Sequence, residues 1–475
     1  MERAEAEAIY DQGREVVVAV LLRMDEQIRR LEERVARQDE RIAELERRLN
    51  RSSRNSSAPP SSDPPGAPAR SKDPSGRKRG AQDGHEGHGR PLLPAWAVDE
   101  VIEHRPARCC CGRTFSGDEQ PVGKPARHQV EELPPINVKV IEHRCLRLRC
   151  PGCGRRTRAR LPEQVARSCF GARVEAAVAT LSVRNRVSRD DAVELCEELF
   201  GARISSGTVD AILSRTAAAL ADPHEDLLGR LRRSPALNMD ETGWRTAGQR
   251  RALWGLFDQH HAYFAVQSDR HEDHAKQLLA DTQAIVTSDR WWAYAHLPLR
   301  RRQLCWAHLR RDFKAHAEGL AAEKEFGEAG LALCERVFWA WEVFQHTGDR
   351  RQLKRTVRSL QRTYKPIIRS FAAKRARNKR CRGMANNLLK AWPALWTFAS
   401  RTGVEPTNNH AERALRCAVI YRKLCLGSQS EQGEQRTATL LSAHTTCRLQ
   451  HRSLFAYLTD AITAHARGEP TPLLT

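Results

Sequence analysis

The sequence predicts a multidomain α/β protein, and three carboxylates at the ends of predicted elements indicate the class of its core. One apolar run ends at Asp240 before a break at Gly243, and a second run, 284–288, ends at Asp289. We interpret both runs as short buried strands with an aspartate at the C-terminal tip. Glu412 follows at the start of a predicted helix. Two strand-tip aspartates and a helix-borne glutamate are the layout of an RNase H-like core, in which carboxylates hold two Mg²⁺ ions for attack on a phosphodiester.

The composition indicates a nucleic-acid-binding protein. The 475 residues carry a formal net charge of +21 at pH 7, with far more arginine than lysine, and the pI is about 9.8. This excess favours a polyanionic partner, most simply nucleic acid, over a basic protein without one. No run approaches the roughly 18 apolar residues of a membrane span, and the acidic N-terminus is not a signal peptide. The 14 cysteines suit metal binding in a reducing compartment, so we expect a cytoplasmic protein.

Residues 1–50 are predicted to form a coiled-coil helix, because apolar residues recur in a heptad pattern. The a positions are Leu21, Ile28, Val35, Ile42 and Leu49, and the d positions are Met24, Leu31, Gln38 and Leu45. β-branched residues at a with leucine at d favour a parallel two-stranded coil, so we expect a homo-oligomer, most simply a dimer. The alternative is a single amphipathic helix packed on its own protein.

Residues 51–92 are predicted to be a disordered basic linker. Ser, Pro, Gly, Arg and Asp dominate this stretch and almost no residue is apolar, so it cannot bury a core. In one interpretation the linker lies along DNA phosphates, and in the other it is a solvated spacer.

Residues 93–162 are predicted to form a zinc-binding module of the zinc-ribbon type. Its second half is a C-x-x-C-G sequence, in which the glycine lets backbone amides turn toward the thiolates. Its first half is irregular, because Arg108 stands where the first cysteine of a C-x-x-C would be. The predicted ligands of a structural Zn²⁺ are Cys109, Cys111, Cys150 and Cys153, with Cys110 or Cys145 as substitutes. Residues 136–141 are predicted to be a strand between the halves, and the alternative is a set of unconnected buried cysteines.

Residues 163–230 are predicted to form a helical domain that contains a helix-turn-helix. One helix ends at Gly201, a short turn follows, and a second helix begins near Gly207 with Ser205 or Ser206 as its N-cap. This order is the helix-turn-helix pattern and favours DNA binding. A plain helical hairpin has the same pattern.

The predicted core begins with residues 231–316. After the strand of Asp240, residues 252–257 and 262–266 are predicted to complete an antiparallel meander, and a helix over 271–280 leads to the strand of Asp289. We then expect a helix, a strand and a further helix within the span that ends at residue 316.

A helical insertion over residues 317–402 is predicted to separate Asp289 from Glu412. One face of it carries Leu331, Cys334, Phe338, Trp341 and Phe344. The basic run 374–382 is either a phosphate contact or a solvated face. Residues 403–450 return to the core with the helix of Glu412, and 451–475 are a helical tail.

Several motifs together resemble the transposases of the insertion sequence 66 family. They are Asn55-Ser-Ser-x-Pro-Pro-Ser-Ser-Asp63, the zinc module, Met239-Asp-Glu-Thr242, Ser288-Asp-Arg290, Cys305-Trp-Ala-His-x-Arg-Arg311 and Asn408-Asn-x-x-Glu-Arg413. The resemblance implies a bacterial DNA transposase that cleaves transposon ends and transfers them into target DNA, with Mg²⁺ or Mn²⁺ at Asp240, Asp289 and Glu412. It further implies nucleoid association, double-stranded DNA as partner and other small proteins of the same element.

Two kinds of alternative remain open at this stage. The alternatives to an active transposase are a catalytically inactive DNA-binding relative of one and a plain RNase H-like nuclease. The alternative to a metal-ligand role for Glu412 is that of a capping-box residue. The family's Cys-x-x-His element falls on Cys305 and His308, for which we favour a structural role near the site over metal ligation.

Overall fold

The computed structural model describes residues 3–49, 90–373 and 378–474. Most of the predicted linker, and the part of the predicted basic run at 374–377, lie outside the described residues. None of the described helices is long and apolar enough to cross a membrane.

The described chain is a mixed α/β structure. The helices are α1 Arg3–Tyr10, α2 Arg14–Leu49, α3 Glu163–Ala166, α4 Ala172–Val183, α5 Arg189–Phe200, α6 Ser206–Ala219, α7 Ala221–Arg233, α8 Glu272–Leu279, α9 Trp306–Ala317, α10 Ala321–Thr347, α11 Arg350–Ala372, α12 Lys379–Lys390, α13 Thr397–Ser400, α14 Asn409–Cys425, α15 Glu431–Leu449 and α16 Leu454–Arg467. The strands are β1 Arg147–Arg149, β2 Arg156–Arg158, β3 Ala236–Thr246, β4 Gln249–Phe257, β5 Ala262–Gln267, β6 Ile285–Ser288 and β7 Arg302–Leu304.

The central sheet has five strands in the order β5-β4-β3-β6-β7. β3, β4 and β5 form the predicted antiparallel meander, whereas β6 lies parallel to β3 and β7 lies parallel to β6. The edge strand β5 is covered by α15, whose Ser442 and Thr446 hydroxyls accept hydrogen bonds from the Phe264 and Ala262 amides at 2.9 and 3.0 Å. The hydroxyl groups of a buried helix thus accept the hydrogen bonds of backbone amides at the sheet edge.

The register of β3 and β6 brings two of the predicted acids level. Asn238 is the partner of Thr287 in the parallel pairing, and Asp240 and Asp289 each follow two residues later. The prediction that Asp240 lies at the C-terminal tip of its strand is wrong, because β3 continues to Thr246 through its pairing with β4. Asp240 therefore lies in mid-strand, whereas the neighbouring strand β6 ends at Ser288, directly before Asp289.

The connection from β6 to β7 also differs from the prediction. In place of a helix, it contains two single 3-10 turns, Trp292–Tyr294 and Leu299–Arg301. Pro298 restricts the residue before it to extended conformations, and the buried Tyr294 anchors the first turn in the core. The loop after Asp289 is therefore short and tied to the sheet.

Two hydrophobic cores pack against the sheet. The first contains residues of both sheet faces, such as Leu253 and Trp254 of β4, together with α4 to α8 and α14 to α16. The second joins Leu304 of β7 to α9 and the helices of the insertion. The predicted apolar face of α10 is confirmed, since Cys334 is in the second core and Leu331, Phe338, Trp341 and Phe344 pack against it. Gly330 allows close packing of α10 on α9, because a Cβ there would overlap the Phe313 ring.

The helical pair before the sheet follows its predicted boundaries. α5 ends at Gly201, which has a φ of 62°, and the Ser205 hydroxyl caps α6 by accepting a hydrogen bond from the Thr208 amide at 3.2 Å.

In the predicted zinc-binding module, the strand predicted over 136–141 is absent. Ile136, Val140 and Ile141 are exposed, Val140 at 85%, whereas Val138 packs against the first core and its amide donates to the Phe200 carbonyl at 3.2 Å. No neighbouring strand in the described ranges pairs with this segment. The module instead contains a hairpin formed by β1 and β2, with three residues in each strand.

Candidate active site

The candidate active site lies where β6 ends beside β3. Asp240 is half-buried on β3, and its Oδ1 accepts a hydrogen bond from the Glu241 amide at 3.0 Å. Burial raises the pKa of the Asp240 carboxyl well above its usual value, and the negative charges of Glu241, Asp289 and Glu412 raise it further. The two aspartates and Glu412 predicted from the sequence therefore interact electrostatically within one cluster.

Asp289 is held by the loop that follows β6. Its Oδ1 accepts the Trp291 amide at 2.8 Å, and the Arg302 guanidinium donates to its backbone carbonyl at 3.1 Å. Burial raises the pKa of the Asp289 carboxyl, although the Trp291 amide and the charges of Arg302, Arg290 and Arg270 act in the opposite direction. The arginines therefore favour the ionised form of this carboxylate, which burial disfavours.

Glu241 is a fourth acid of the cluster that the sequence did not single out as functional. Its carboxylate accepts a hydrogen bond from the hydroxyl of the buried Tyr294 at 2.5 Å. Burial raises the pKa of Glu241, as does the charge of Asp289, while the Tyr294 hydroxyl opposes this. Successive residues of a strand point to opposite faces, so an Asp-Glu pair on a strand gave no signal that both acids are buried.

Glu412 faces α9 and does not cap its own helix. The N-cap of α14 is Asn408, which makes no side-chain capping bond. The Glu412 carboxylate instead accepts a hydrogen bond from Arg311 at 3.2 Å and lies 3.7 Å from Nδ1 of His308. The capping-box alternative thus has no support in the contacts of Glu412.

Asn408, which sequence reasoning did not assign, connects three segments of the site. Its side chain is fully buried, donates to the Met239 carbonyl at 2.9 Å and accepts from the Asn238 amide group at 2.9 Å. Its backbone amide donates to the sulfur of Cys305 at 3.1 Å. These bonds attach the N-terminus of α14 to β3 and to the start of α9.

The Cys305 and His308 pair lies at the N-terminus of α9, beside Glu412. Burial raises the pKa of the Cys305 thiol to about 11 and lowers the pKa of His308 to about 3. Both side chains are therefore neutral at pH 7, and Cys305 acts as a hydrogen-bond acceptor for Asn408. These contacts favour the predicted structural role.

Arg422 of α14 is a further arginine beside the site. Its guanidinium donates to the Thr242 hydroxyl at 3.1 Å and to the Gly243 carbonyl. Burial lowers the pKa of Arg422, and the charge of Arg270 lowers it further. Arg422 therefore fixes the end of α14 against the continuing part of β3.

The four predicted zinc ligands are on two separate turns. Within the described ranges, no group of three or more His, Cys, Asp or Glu side chains is arranged to hold a metal ion. The turns nevertheless share one construction: the amides of Cys109 and Cys150 donate to the Arg113 and Arg155 carbonyls, each at 2.8 Å. The backbone amide of Cys153 lowers the pKa of the Cys150 thiol, as hydrogen bonding to a thiolate does. The sulfurs of Cys109 and Cys110 are 3.9 Å apart.

The fold and the acidic cluster define a mixed α/β protein with a buried carboxylate site, and comparison with known proteins gives its family. The model of the family described as "Transposase IS66 family" matches residues 167–436, more than half of the chain. The chain belongs to this family, and the resemblance seen in its motifs is confirmed. A family of unknown function (DUF6444) matches residues 1–91. The chain is also similar to the uncharacterized protein y4hP of Sinorhizobium fredii (strain NBRC 101917 / NGR234), with 23% identity over 418 residues, 78% of this chain and 74% of that protein.

Proposed function

We propose that the protein is a DDE-type DNA transposase that cleaves transposon ends and joins them to target DNA. The observation that carries the proposal is the buried cluster of Asp240 and Asp289, with Glu412 close enough for its charge to raise the pKa of Asp240. The sheet order β5-β4-β3-β6-β7, with an antiparallel meander and two parallel strands, supports an RNase H-like core. All three positions of the family's acidic triad carry acids in this chain, which argues against an inactive DNA-binding relative.

The carboxylates supply the oxygen donors that divalent ions such as Mg²⁺ prefer, although the described side chains are not arranged as a group of three ligands. Carboxylates that burial and mutual repulsion make difficult to ionise are stabilised when a cation lies between them. Asp240, Asp289 and Glu412 would hold Mg²⁺ or Mn²⁺, which when bound activates the attacking water and stabilises the leaving 3′ oxygen. The arginines and Asn408 position these acids, since Arg302 holds the backbone of Asp289 and Arg311 holds Glu412.

In the proposed reaction, water first hydrolyses a phosphodiester at a transposon end and leaves a 3′-hydroxyl. That hydroxyl then attacks a phosphodiester of target DNA, so that one P–O bond forms as another breaks. The excess of positive charge binds the DNA backbone without reading its bases. The capped α5–α6 pair is the element that we propose for DNA binding.

Two further parts of the proposal concern zinc and oligomerisation. The matching construction of the two cysteine turns supports a structural Zn²⁺ bound through Cys109, Cys111, Cys150 and Cys153. The heptad residues of α2 are exposed in the single chain, for example Ile28 at 52% and Leu31 at 56%. This uncovered apolar seam supports a coiled-coil dimer that brings two transposon ends together.

The experiment is metal-dependent cleavage of DNA that carries the ends of the element. Asp240→Asn, Asp289→Asn and Glu412→Gln keep the side-chain shape but remove the charge, so each is expected to lower the cleavage rate by at least about a hundredfold, because ~1.4 kcal/mol is already tenfold. DNA affinity should change little. The matched control is Glu405→Gln, because Glu405 is exposed and near Glu412 in the chain. If Glu412→Gln cleaves normally while Glu405→Gln does not, the third acid of the proposal is wrong.

A further inference from the structure

Two exposed tryptophans follow Asp289 directly. Trp291 and Trp292 are 39% and 46% exposed, whereas three other tryptophans, Trp244, Trp254 and Trp306, are buried in the cores. The two exposed indole rings are tilted by 45° with centroids 5.9 Å apart. The pair therefore presents a large aromatic surface to solvent at the edge of the acidic cluster.

The tryptophan pair is held by the same contacts that hold Asp289. The Trp291 amide donates to the Asp289 carboxylate at 2.8 Å, and its indole N–H points to the Arg270 carbonyl at 3.4 Å. The ring of His271 meets Trp292 edge-on, with centroids 5.1 Å apart. The rings are thus fixed relative to the carboxylate, and little conformational entropy is lost when a ligand binds them.

Two arginines adjoin the pair. The Arg270 carbonyl accepts the Trp291 indole N–H, and Arg290, directly before Trp291, is half-buried and paired with Asp312. Aromatic faces flanked by cations are the surface that binds single nucleotides, because the cations attract phosphate and the rings stack on the base. A second copy of this basic chain is the less suitable occupant, since its own positive charge would oppose these arginines.

We propose that Trp291 and Trp292 form a stacking platform for an unpaired nucleobase of the DNA strand held at the acidic cluster. The inference rests on the proposed function, because that function requires a phosphodiester to lie beside Asp289. A base next to the phosphodiester is then within reach of the indoles, and it offers them a free face only when it leaves the duplex stack.

The test compares two duplexes of the same end sequence, one fully paired and one with 2-aminopurine in an unpaired position next to the scissile phosphate. We expect the full-length protein to bind the unpaired duplex about tenfold more tightly and to change its 2-aminopurine fluorescence. Trp291→Leu and Trp292→Leu, which keep apolar bulk, should lose both effects, and the corresponding phenylalanine variants should keep most of them. Trp339→Leu is the matched control, since Trp339 is 59% exposed on α10.

The outcomes separate the platform from the proposed function. Leucine variants that retain the preference and the fluorescence change would overturn the platform, and so would a wild-type protein that cleaves DNA without any preference for the unpaired base. Leucine variants that change only the molecular mass measured by light scattering would also overturn the platform, because that result indicates an interface between copies of the chain. A wild-type protein that neither binds nor cleaves the duplexes with metal present would overturn the platform and the proposed function together.

Discussion

At the residue scale, Asn408 connects the strand of one acid to the helix of another. Its amide group bonds the Met239 carbonyl and the Asn238 side chain, and its backbone bonds Cys305. Glu412 follows one turn later on α14. The position of Glu412 relative to Asp240 therefore depends on a buried polar residue, whose backbone carbonyl also accepts the Glu412 amide at 3.1 Å.

Asn408→Ala should destabilise the protein and slow cleavage. The substitution leaves the Met239 carbonyl and the Asn238 side chain without their partner in a buried site, which typically costs about 1–3 kcal/mol. Urea unfolding should report this loss, and the cleavage rate should fall because α14 is no longer held to β3. The control is Asn409→Ala at the neighbouring, partly exposed position. Equal stability of the two variants would contradict the role of Asn408.

At the element scale, the two cysteine turns are small, exposed and similar in construction. Each has a cysteine amide that donates to a carbonyl four or five residues later, and each ends in a glycine with positive φ, Gly112 and Gly154. The segment has no large core of its own: Val122, Val130 and Leu146 are exposed. A module of this kind is expected to depend on a bound metal for its stability.

The purified protein should therefore contain about one Zn²⁺ per chain, as measured by elemental analysis. The double variant Cys150→Ser, Cys153→Ser should lose the zinc, because serine does not supply the thiolates. Cys169→Ser, at an exposed cysteine outside the module, should retain it. Folded wild-type protein free of zinc would contradict the prediction.

At the scale of the whole molecule, local pattern predicted more of the fold than of the site. The meander, the α10 face and the Ser205 cap follow from periodicity and capping chemistry, which act over a few residues. The length of β3 and the helix expected before β7 were wrong, because strand pairing and the burial of Tyr294 decide them from a distance. Glu241 was missed for the same reason: its partner is 53 residues away.

The apolar seam of α2 predicts the oligomeric state. Light scattering without DNA should give the mass of a dimer for the full chain and of a monomer after deletion of residues 1–50. Leu31→Lys, at a d position, should weaken the dimer because it places a charge in the seam. Glu33→Lys, on the outer side of the same heptad, should not. A dimer that survives the deletion would show that another surface holds the copies together.

We propose that three carboxylates, Asp240 on β3, Asp289 directly after β6 and Glu412 on α14, hold one metal site. The most direct measurement is DNA cleavage by Asp240→Cys, Asp289→Cys and Glu412→Cys in Mg²⁺ and in Mn²⁺. A thiolate is a poor ligand for the hard Mg²⁺ and a better one for Mn²⁺. Each variant should therefore be inactive with Mg²⁺ and regain part of its activity with Mn²⁺, while Glu405→Cys stays active with both. Wild-type activity of any of the three variants in Mg²⁺ would contradict the account.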